Sequence, residues 1–264
     1  MKIDLNCDMG ESFGRYSLGS DAALMSYVTS ANIACGLHAG DPLVMERTVR
    51  LAREHGVGIG AHPGFPDLQG FGRRAMQLAP EEVEAFVLYQ IGALAAFAKA
   101  AGAELVHVKP HGALYNLAAR DRPLAEAIVR AVARFSRGST PLTTGQLILV
   151  GLANSLLVEA GLEAGLPVAR EAFADRAYEA DGSLRSRRLP GAVLEDPAEA
   201  AEQAVRIAQD GLVVAYSGEE VPVQAETICL HGDTSTALAI AQAVRQALTT
   251  AGVEVVPLTT FVGT

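Results

Sequence analysis

Apolar and polar positions along the chain fall into short runs of strand length, separated by longer stretches with helical spacing. Seven of the short runs are predicted to be β-strands, and six of them end at polar clusters that contain Gly or Pro. The predicted strands cover residues 3–8, 30–35, 57–61, 105–109, 147–150, 167–170 and 227–230.

Amphipathic helices are predicted between these strands. The clearest covers 81–101, where apolar residues recur at every third or fourth position and Pro80 precedes two glutamates. The others cover 42–55, 124–135, 153–163, 197–209 and 235–250. Repeated strand–helix units predict parallel strands with helices outside, and about seven units in 264 residues favour a (β/α) barrel over a doubly wound open sheet.

Two segments interrupt the alternation of strands and helices. Residues 136–146 are rich in Ser, Thr, Gly and Pro and are predicted to form a loop insertion. Residues 213–224 contain two apolar runs around the sequence SGEE, which predicts a β-hairpin. Because no linker and no internal repeat is found, we expect residues 1–264 to form a single domain.

Composition and charge narrow the class of protein. Half of the residues are apolar and 19% are charged, which is typical of a globular protein, and the net charge is −9 without a dense Lys/Arg cluster, which argues against nucleic-acid binding. Cys7, Cys35 and Cys229 are too far apart to indicate a disulfide framework. With no signal sequence and no apolar stretch of about 18 residues, we expect no membrane contact and a cytoplasmic location.

Polar clusters follow nearly every predicted strand. In (β/α) barrels the chemistry takes place in loops after the carboxyl ends of the strands, so clusters in phase with the strands predict one shared site. These clusters cover 8–11, 36–41, 62–67, 109–116, 170–176 and 231–234. They include the histidines His38, His62, His111 and His231.

Side chains at alternate strand positions point to the same face. Polar or very small residues share such faces in four strands: Asp4, Asn6 and Asp8; Ser30 and Asn32; Gly58, Gly60 and His62; His107, Lys109 and His111. If these faces point inward, the upper interior of the barrel is polar and partly open.

Some of these residues also have a purely structural interpretation. Asp41 and Asp233 precede predicted helices, whose N-termini they could cap. His107 lies deep in its strand and could be a core histidine or a group that supports the site. Cys7 and Cys35 are expected to be small core residues.

The residue types in the clusters permit two kinds of chemistry. The set Asp8, Glu11, His38 and His62 could hold a divalent ion, although its spacing matches no known zinc motif. The cations Arg73, Lys109, Arg170 and Arg176 indicate an anionic substrate or phosphate chemistry. Since GxxxxGK[ST], GxSxG and GxGxxG are absent, the residues alone predict a barrel enzyme for an anionic or amide substrate.

Seven segments together resemble a known family. They are DLNCDMGE at 4–11, SANIACGLHAGD at 30–41, GAHPGFPD at 60–67, FGRRAMQL at 71–78, HVKPHGALYN at 107–116, REAFADRAYEADGSLRSR at 170–187 and CLHGDT at 229–234. With these segments the chain resembles the LamB/YcsF family from its N-terminus to about Pro257. Two departures are the longer loop at 136–146 and Cys7, where a small residue such as Ala is common.

The resemblance implies a distorted (β/α) barrel related to the glycoside hydrolase/deacetylase group. It also implies that the chain is the A subunit of a bacterial 5-oxoprolinase, which cleaves 5-oxo-L-proline to L-glutamate with hydrolysis of ATP, expected with Mg²⁺. Separate B and C subunits are the implied partners. A homodimer is expected only because such dimers are common.

The implied reaction suggests roles for the strand-end residues. ATP would phosphorylate the lactam oxygen, water would attack the activated carbon, the ring would open and phosphate would leave. We expect catalytic residues among Asp8, His38, His62, Lys109 and His111, with Lys109, Arg170 and Arg176 neutralising phosphate charge. The expected substrate- or nucleotide-binding residues are Asn6, Glu11, Asn32, Asp41, Arg73, Tyr115, Asn116, Arg170, Glu171, Asp175, Arg176, His231 and Asp233.

Two other functions remain open from the sequence. One is a metal-dependent amidohydrolase of the polysaccharide-deacetylase type that acts alone, without ATP. The other is a non-catalytic subunit that binds the substrate while its partners perform the reaction.

Overall fold

The computed structural model describes residues 1–137, 145–232 and 236–263. Its strands are β1 (Lys2–Met9), β2 (Ser30–Ala34), β3 (Gly58–His62), β4 (Leu105–Val108), β5 (Ile148–Leu152), β6 (Val168–Phe173), β7 (Leu212–Val214), β8 (Glu220–Pro222), β9 (Thr227–Leu230) and β10 (Glu254–Val255). Its helices are α1 (Asp21–Leu24), α2 (Pro42–His55), α3 (Pro80–Ala100), α4 (Gly112–Ala118), α5 (Arg122–Arg137), α6 (Leu156–Glu163), α7 (Pro197–Asp210), α8 (Ala237–Thr250) and the 3₁₀ turn Leu258–Thr260.

Seven parallel strands close into a barrel within the described ranges. The order is β1-β2-β3-β4-β5-β6-β9, and β9 pairs with β1 to complete the ring. Strand β10 adds to the start of β1, and the antiparallel pair β7–β8 stands apart from the barrel. The predicted barrel of about seven parallel strands and the predicted hairpin are therefore confirmed.

Apolar side chains on the outer face of the strands pack against the surrounding helices. Leu5, Ile33 and Leu149 are buried in this main core together with helix residues such as Ile91 and Val244. A separate apolar cluster is formed by Ile148 and Val150 of β5, Ala169 of β6 and Leu258 of the C-terminal segment.

Local signals explain how the helix that follows β2 begins and ends. The carboxylate of Asp41 accepts hydrogen bonds from the backbone N–H groups of Leu43 (2.8 Å) and Val44 (3.1 Å), and Pro42 occupies the first turn. Gly56 ends α2 with a φ of 67°, which disfavours a residue with a Cβ atom. Asp41 is thus a helix cap, as its structural interpretation predicted.

Several predicted boundaries differ from the structure. Strand β6 continues to Phe173 instead of ending at residue 170, and residues 112–118, predicted as loop, form α4. Gly112 at its start hides this helix from the sequence pattern, because Gly is a poor helix former. Of the predicted loop insertion at 136–146, the first two residues end α5, and 138–144 lie outside the described residues.

Helix α3 has the length and apolar composition needed to cross a membrane, contrary to the expectation from the sequence. In the fold it is a wall helix of the barrel, and 39% of its most apolar window is buried. Val83, Val87, Ile91 and Leu94 lie on its buried face, within the main core. The apolar stretch therefore serves packing on the barrel.

Candidate active site at the barrel mouth

The polar faces predicted for the strands meet inside the carboxyl-terminal end of the barrel, here called the mouth. Asp8 pairs in register with Asn32 on the neighbouring strand, and Asn32 pairs with Gly60 on the next. Because these strands are parallel and in register, their inward side chains lie at one level. Lys109 follows β4 directly, and the side chain of Glu171, on β6, reaches Nζ of Lys109.

Lys109 is the centre of this network. Its buried Nζ lies within hydrogen-bond distance of four groups, which share its three N–H donors: Asp8 Oδ1 (3.0 Å), Glu171 Oε1 (2.9 Å), Asn6 Oδ1 (3.3 Å) and Cys229 Sγ (3.1 Å). Burial alone would lower the pKa of Lys109, but the carboxylates of Asp8 and Glu171 hold it well above its ordinary value. Lys109 is therefore a fixed cation between two carboxylates.

Asp8 is the carboxylate of this pair that lies nearest to solvent, with 15% of its side chain exposed. Its Oδ1 also accepts from Asn32 Nδ2 (2.9 Å), and its Oδ2 lies 3.2 Å from Nε2 of His62. Burial would raise the pKa of Asp8, but His62 and Lys109 hold it well below its usual range. Asp8 is consequently ionised at neutral pH.

Two asparagines connect the carboxylates. Asn6 Nδ2 donates to Glu171 Oε1 (2.9 Å) and to Thr227 Oγ1 (2.7 Å), while its Oδ1 accepts from Asn32 Nδ2 (2.7 Å). Tyr115, on α4, donates its hydroxyl to Glu171 Oε2 at 2.6 Å. The fully buried Glu171 is thus held by an amide, a phenol and an ammonium group, which compensates for burying its charge.

His107 fills the space that the glycines of β3 leave inside the barrel. A Cβ atom at Gly60 would lie 2.0 Å from Nε2 of His107, so the ring occupies that position. The expectation of a partly open interior is wrong at this point. His107 Nε2 lies 2.7 Å from Asn32 Oδ1, and burial together with the charge of Lys109 lowers the pKa of His107 to about 3. His107 is a neutral group that orients Asn32.

Three histidines form a second group beside Asp8. His62 Nε2 lies 2.9 Å from His111 Nδ1, and the ring of His38 stacks on that of His111 at 3.9 Å with an angle of 4°. Burial lowers the pKa of His111 to about 3 and that of His38 well below its ordinary value. Glu11 Oε1 lies 3.6 Å from His111 Nδ1. The structure therefore brings all of the predicted catalytic residues to the mouth.

His231 and Asp175 form a dyad on the opposite part of the mouth. Nδ1 of His231 lies 2.8 Å from Asp175 Oδ1, and the backbone N–H of His231 donates to Asp175 Oδ2 at 3.0 Å. The imidazole also stacks on Phe173, with ring centroids 5.6 Å apart. Burial would raise the pKa of Asp175, but His231 holds it below its ordinary value. The dyad makes Nδ1 the donor and Nε2 the acceptor.

Two glutamines that sequence reasoning missed hold the loops of the mouth. Gln90, on α3, bonds both the N–H and the carbonyl of Gly64 at 2.9 Å, next to His62. Gln203, on α7, donates to the carbonyls of Phe173, Ala174 and Arg176. In the sequence, the only indication of either role is that a glutamine stands among apolar residues on the inner face of its predicted helix.

Two predicted site residues, Arg170 and Arg176, form their contacts outside the Lys109 network. Arg170 pairs with Glu226, which precedes β9; since β6 runs on to Phe173, Arg170 points to the outer face and not into the mouth. Arg176 donates to the carbonyls of Ala192 (3.1 Å) and Arg185 (2.6 Å), so its guanidinium holds the loop between β6 and α7.

The remaining predicted binding residues lie at the rim or beyond it. Asn116 is exposed and donates to the carbonyl of Gly112, one turn earlier in α4. The guanidinium of Arg73 lies over the ring of Phe71 at 4.9 Å, at the rim beside the histidines. Asp41 caps α2, as described above, and Asp233 lies outside the described residues.

Comparison with known proteins places the whole chain among similar sequences. A model of the LamB/YcsF family matches residues 3–263. A Chloroflexus aggregans protein, named as the A subunit of 5-oxoprolinase, is 58% identical over 97% of this chain and 98% of its own length, and one of the same name from Pyrococcus abyssi is 55% identical over the full length of both. The crystal structure of a lactam utilization protein from Thermus thermophilus is 52% identical, with a TM-score of 0.89 over 97% of this chain and 99% of that one.

Proposed function

The chain belongs to the LamB/YcsF family, and we propose on this basis that it is the A subunit of a 5-oxoprolinase. The enzyme opens the lactam ring of 5-oxo-L-proline to give L-glutamate, with hydrolysis of ATP. The observation that carries the proposal is the Lys109 network. It places a fixed cation, an ionised Asp8 and an acid–base dyad at the mouth of a chain that matches proteins of that name along their whole length.

The proposed reaction consumes one ATP and two water molecules. The γ-phosphoryl group moves from ATP to the lactam oxygen, which makes the ring carbon a better electrophile. One water then adds to that carbon, the C–N bond breaks, and the ring nitrogen takes up a proton. A second water releases the phosphate from the resulting acyl phosphate and leaves glutamate.

The dyad of Asp175 and His231 suits the proton transfers of this sequence. With Nδ1 held as a donor to Asp175, Nε2 of His231 can accept a proton from the attacking water and return it to the ring nitrogen. Lys109 and Asp8 suit the orientation of the lactam, because their charges are fixed by burial and by mutual contact. His62 contacts the other oxygen of Asp8 through its Nε2 and so helps to hold the carboxylate in place.

The charges of the mouth support a nucleotide site that partner subunits complete. Lys109 already faces two carboxylates, and Arg170 and Arg176 are engaged with Glu226 and with loop carbonyls. The phosphates of Mg-ATP therefore need cations beyond these three, and we assign these further cations to the B and C subunits.

The free, buried cysteines of this chain agree with a reducing, cytoplasmic setting.

Replacement of Lys109 tests the proposal. We expect Lys109→Met to reduce glutamate release by the complete three-subunit enzyme at least 100-fold, the scale for loss of a positioned charge. Lys99→Met removes an exposed lysine from α3 and serves as the matched control, with wild-type rate expected. Activity of Lys109→Met within a few fold of the control would refute the assignment.

A further inference from the structure

Four residues with metal-binding side chains meet at one side of the mouth, next to the Lys109 network. One ligand atom from each of Glu11, His38, His62 and His111 lies within 4.8 Å of the other three. We propose that these residues bind one divalent transition-metal ion of the Zn²⁺ type, with Asp8 at the edge of the site. The reaction proposed above does not require this ion, so the inference goes beyond it.

Hydrogen bonds fix which ring nitrogens face the proposed site. His62 Nδ1 lies 2.7 Å from the backbone carbonyl of Lys109, and His111 Nε2 lies 2.8 Å from that of Phe71. Because a carbonyl only accepts, these two nitrogens carry hydrogens. When neither ring carries a second proton, His62 Nε2 and His111 Nδ1 are both lone pairs, and they face each other at 2.9 Å. A cation in contact with both nitrogens, or a proton on one of them, satisfies such a pair.

The spacing of the facing atoms suits a metal ion. Ligands bonded to Zn²⁺ at about 2.0–2.1 Å lie roughly 2.9 Å apart at a right angle and about 3.4 Å apart at a tetrahedral angle. The facing atoms are 2.9 Å apart for His62 and His111, 3.2 Å for His62 and Asp8 Oδ2, and 3.6 Å for His111 and Glu11 Oε1. A cation between His62 and His111 would contact both lone pairs, with Glu11 next to His111 and Asp8 next to His62.

His38 provides an independent observation that points to a ligand. It is 1% exposed, and neither of its ring nitrogens has a hydrogen-bond partner among the residues that the structure describes. Buried polar groups in proteins are nearly always satisfied, so an imidazole in this state indicates a missing partner. One of its nitrogens belongs to the cluster, so a metal ion there would supply that partner once the His38 ring turns out of its stack on His111.

The surroundings hold the rings as metal-binding histidines are usually held. Carbonyls of Lys109 and Phe71 receive the opposite N–H groups of His62 and His111, which fixes tautomer and ring orientation. Gly64 and Gly72 let the backbone approach: a Cβ atom would lie 2.6 Å from His38 Nδ1 or 2.8 Å from His111 Cδ2. Three imidazoles favour Zn²⁺ or a neighbouring transition metal over Mg²⁺, which prefers oxygen ligands.

Metal titration of the chelator-treated full-length chain tests this site without any substrate. We expect calorimetry to show one Zn²⁺ per chain, bound in the presence of millimolar Mg²⁺. Co²⁺ in the same site should give visible absorption bands that indicate nitrogen ligands. Absence of stoichiometric Zn²⁺ binding to the wild-type chain at about 100 μM, or a Co²⁺ spectrum of the hydrated ion, would overturn the proposal.

Variants locate the binding. His111→Gln and His62→Gln should each weaken Zn²⁺ binding at least 100-fold, more than the 10- to 100-fold typical of outer-shell partners. His55→Gln, at the exposed end of α2, is the control for surface histidines and should bind as the wild type does. Circular dichroism without metal selects the variants that are folded, and Glu11→Gln is the second choice if a histidine variant is not. Unchanged affinity in the folded variants would overturn the site.

The two proposals fail separately. A chain that binds one Zn²⁺ but releases no glutamate with its partners retains the metal site and loses the proposed function. A chain that releases glutamate but binds no metal retains the function and loses the site.

Discussion

At the residue scale, the mouth is governed by charges that burial makes costly and that fixed partners stabilise. Lys109, Asp8 and Glu171 form a buried set in which each ion has at least one opposite charge and one hydrogen bond with a neutral group. Removing one member of such a set leaves an uncompensated charge, which costs more than the net contribution of the intact set. Geometry at the site and stability of the fold are therefore coupled.

Asp4 lies below this network and gives a prediction for stability. Burial raises its pKa from 3.8 to about 6, although three hydroxyls, from Thr29, Ser30 and Thr227, donate to the carboxylate. Between these pH values the unfolded chain has released the proton that the folded chain keeps. The contribution of Asp4 to the free energy of unfolding therefore falls as pH rises through this window, by roughly 3 kcal/mol.

The variant Asp4→Asn lacks this titration. Urea unfolding of both proteins at pH values from 4 to 8 should show that the free-energy difference between them shifts in favour of the variant as pH rises to about 7. A difference that does not vary with pH would contradict the raised pKa of Asp4.

The dyad predicts a kinetic effect at the same scale. Asp175→Asn keeps the size of the side chain but can donate to His231 Nδ1, which favours the wrong tautomer. We expect kcat for glutamate release to fall by about 10²–10⁴-fold with KM nearly unchanged, the pattern of a group that acts on the chemical step. Asp181→Asn, an exposed acid of the neighbouring loop, is the control. A change confined to KM would indicate a role in binding instead.

At the element scale, the inner face of β3 is matched to a side chain from its neighbour β4. The inner face of β3 is almost without side chains until His62, and the ring of His107 from β4 occupies the space above Gly60. The neutral ring then holds Asn32 of β2 at 2.7 Å. A glycine in one strand thus determines the orientation of an amide in another.

Gly60→Ala tests this dependence. The added Cβ would overlap the His107 ring, so we expect a loss of about 1–3 kcal/mol in the free energy of unfolding, as for overpacked cores, and a lower catalytic rate. Gly92→Ala in α3 is the matched control, because a Cβ there meets nothing within 4 Å. Helix propensity predicts that the control is as stable as the wild type or more so, by up to about 1 kcal/mol. Equal stability of the two variants would contradict the account.

The sequence predicted the features that follow from alternating polar and apolar residues in strands and from the residues that begin and end helices. The inward positions of Asp8, Asn32, His62 and Lys109 were read from a period of two, because alternate residues of a strand share a face. The position of Arg170 was predicted wrongly, since its strand was expected to end three residues early. The ring of His107 in the space above Gly60 and the glutamine contacts from α3 and α7 depend on tertiary packing, which no local pattern contains.

At the scale of the whole molecule, an apolar cluster and the Lys109 network occupy different parts of the barrel. The cluster joins β5 and β6 to Leu258 of the C-terminal segment, while the network lies at the mouth. The cations expected for phosphate binding are largely engaged within the chain itself. This arrangement agrees with the proposed function, in which partner subunits supply cations for the nucleotide.

The most direct test of this account is the release of glutamate and phosphate from 5-oxoproline and Mg-ATP. The assay compares this chain alone, the B and C subunits without it, and all three together. We predict both products in about equal amounts only in the complete mixture. Glutamate release by this chain alone without ATP would contradict the account and indicate a stand-alone amidohydrolase, and no glutamate from the folded, associated mixture would contradict the proposed reaction itself.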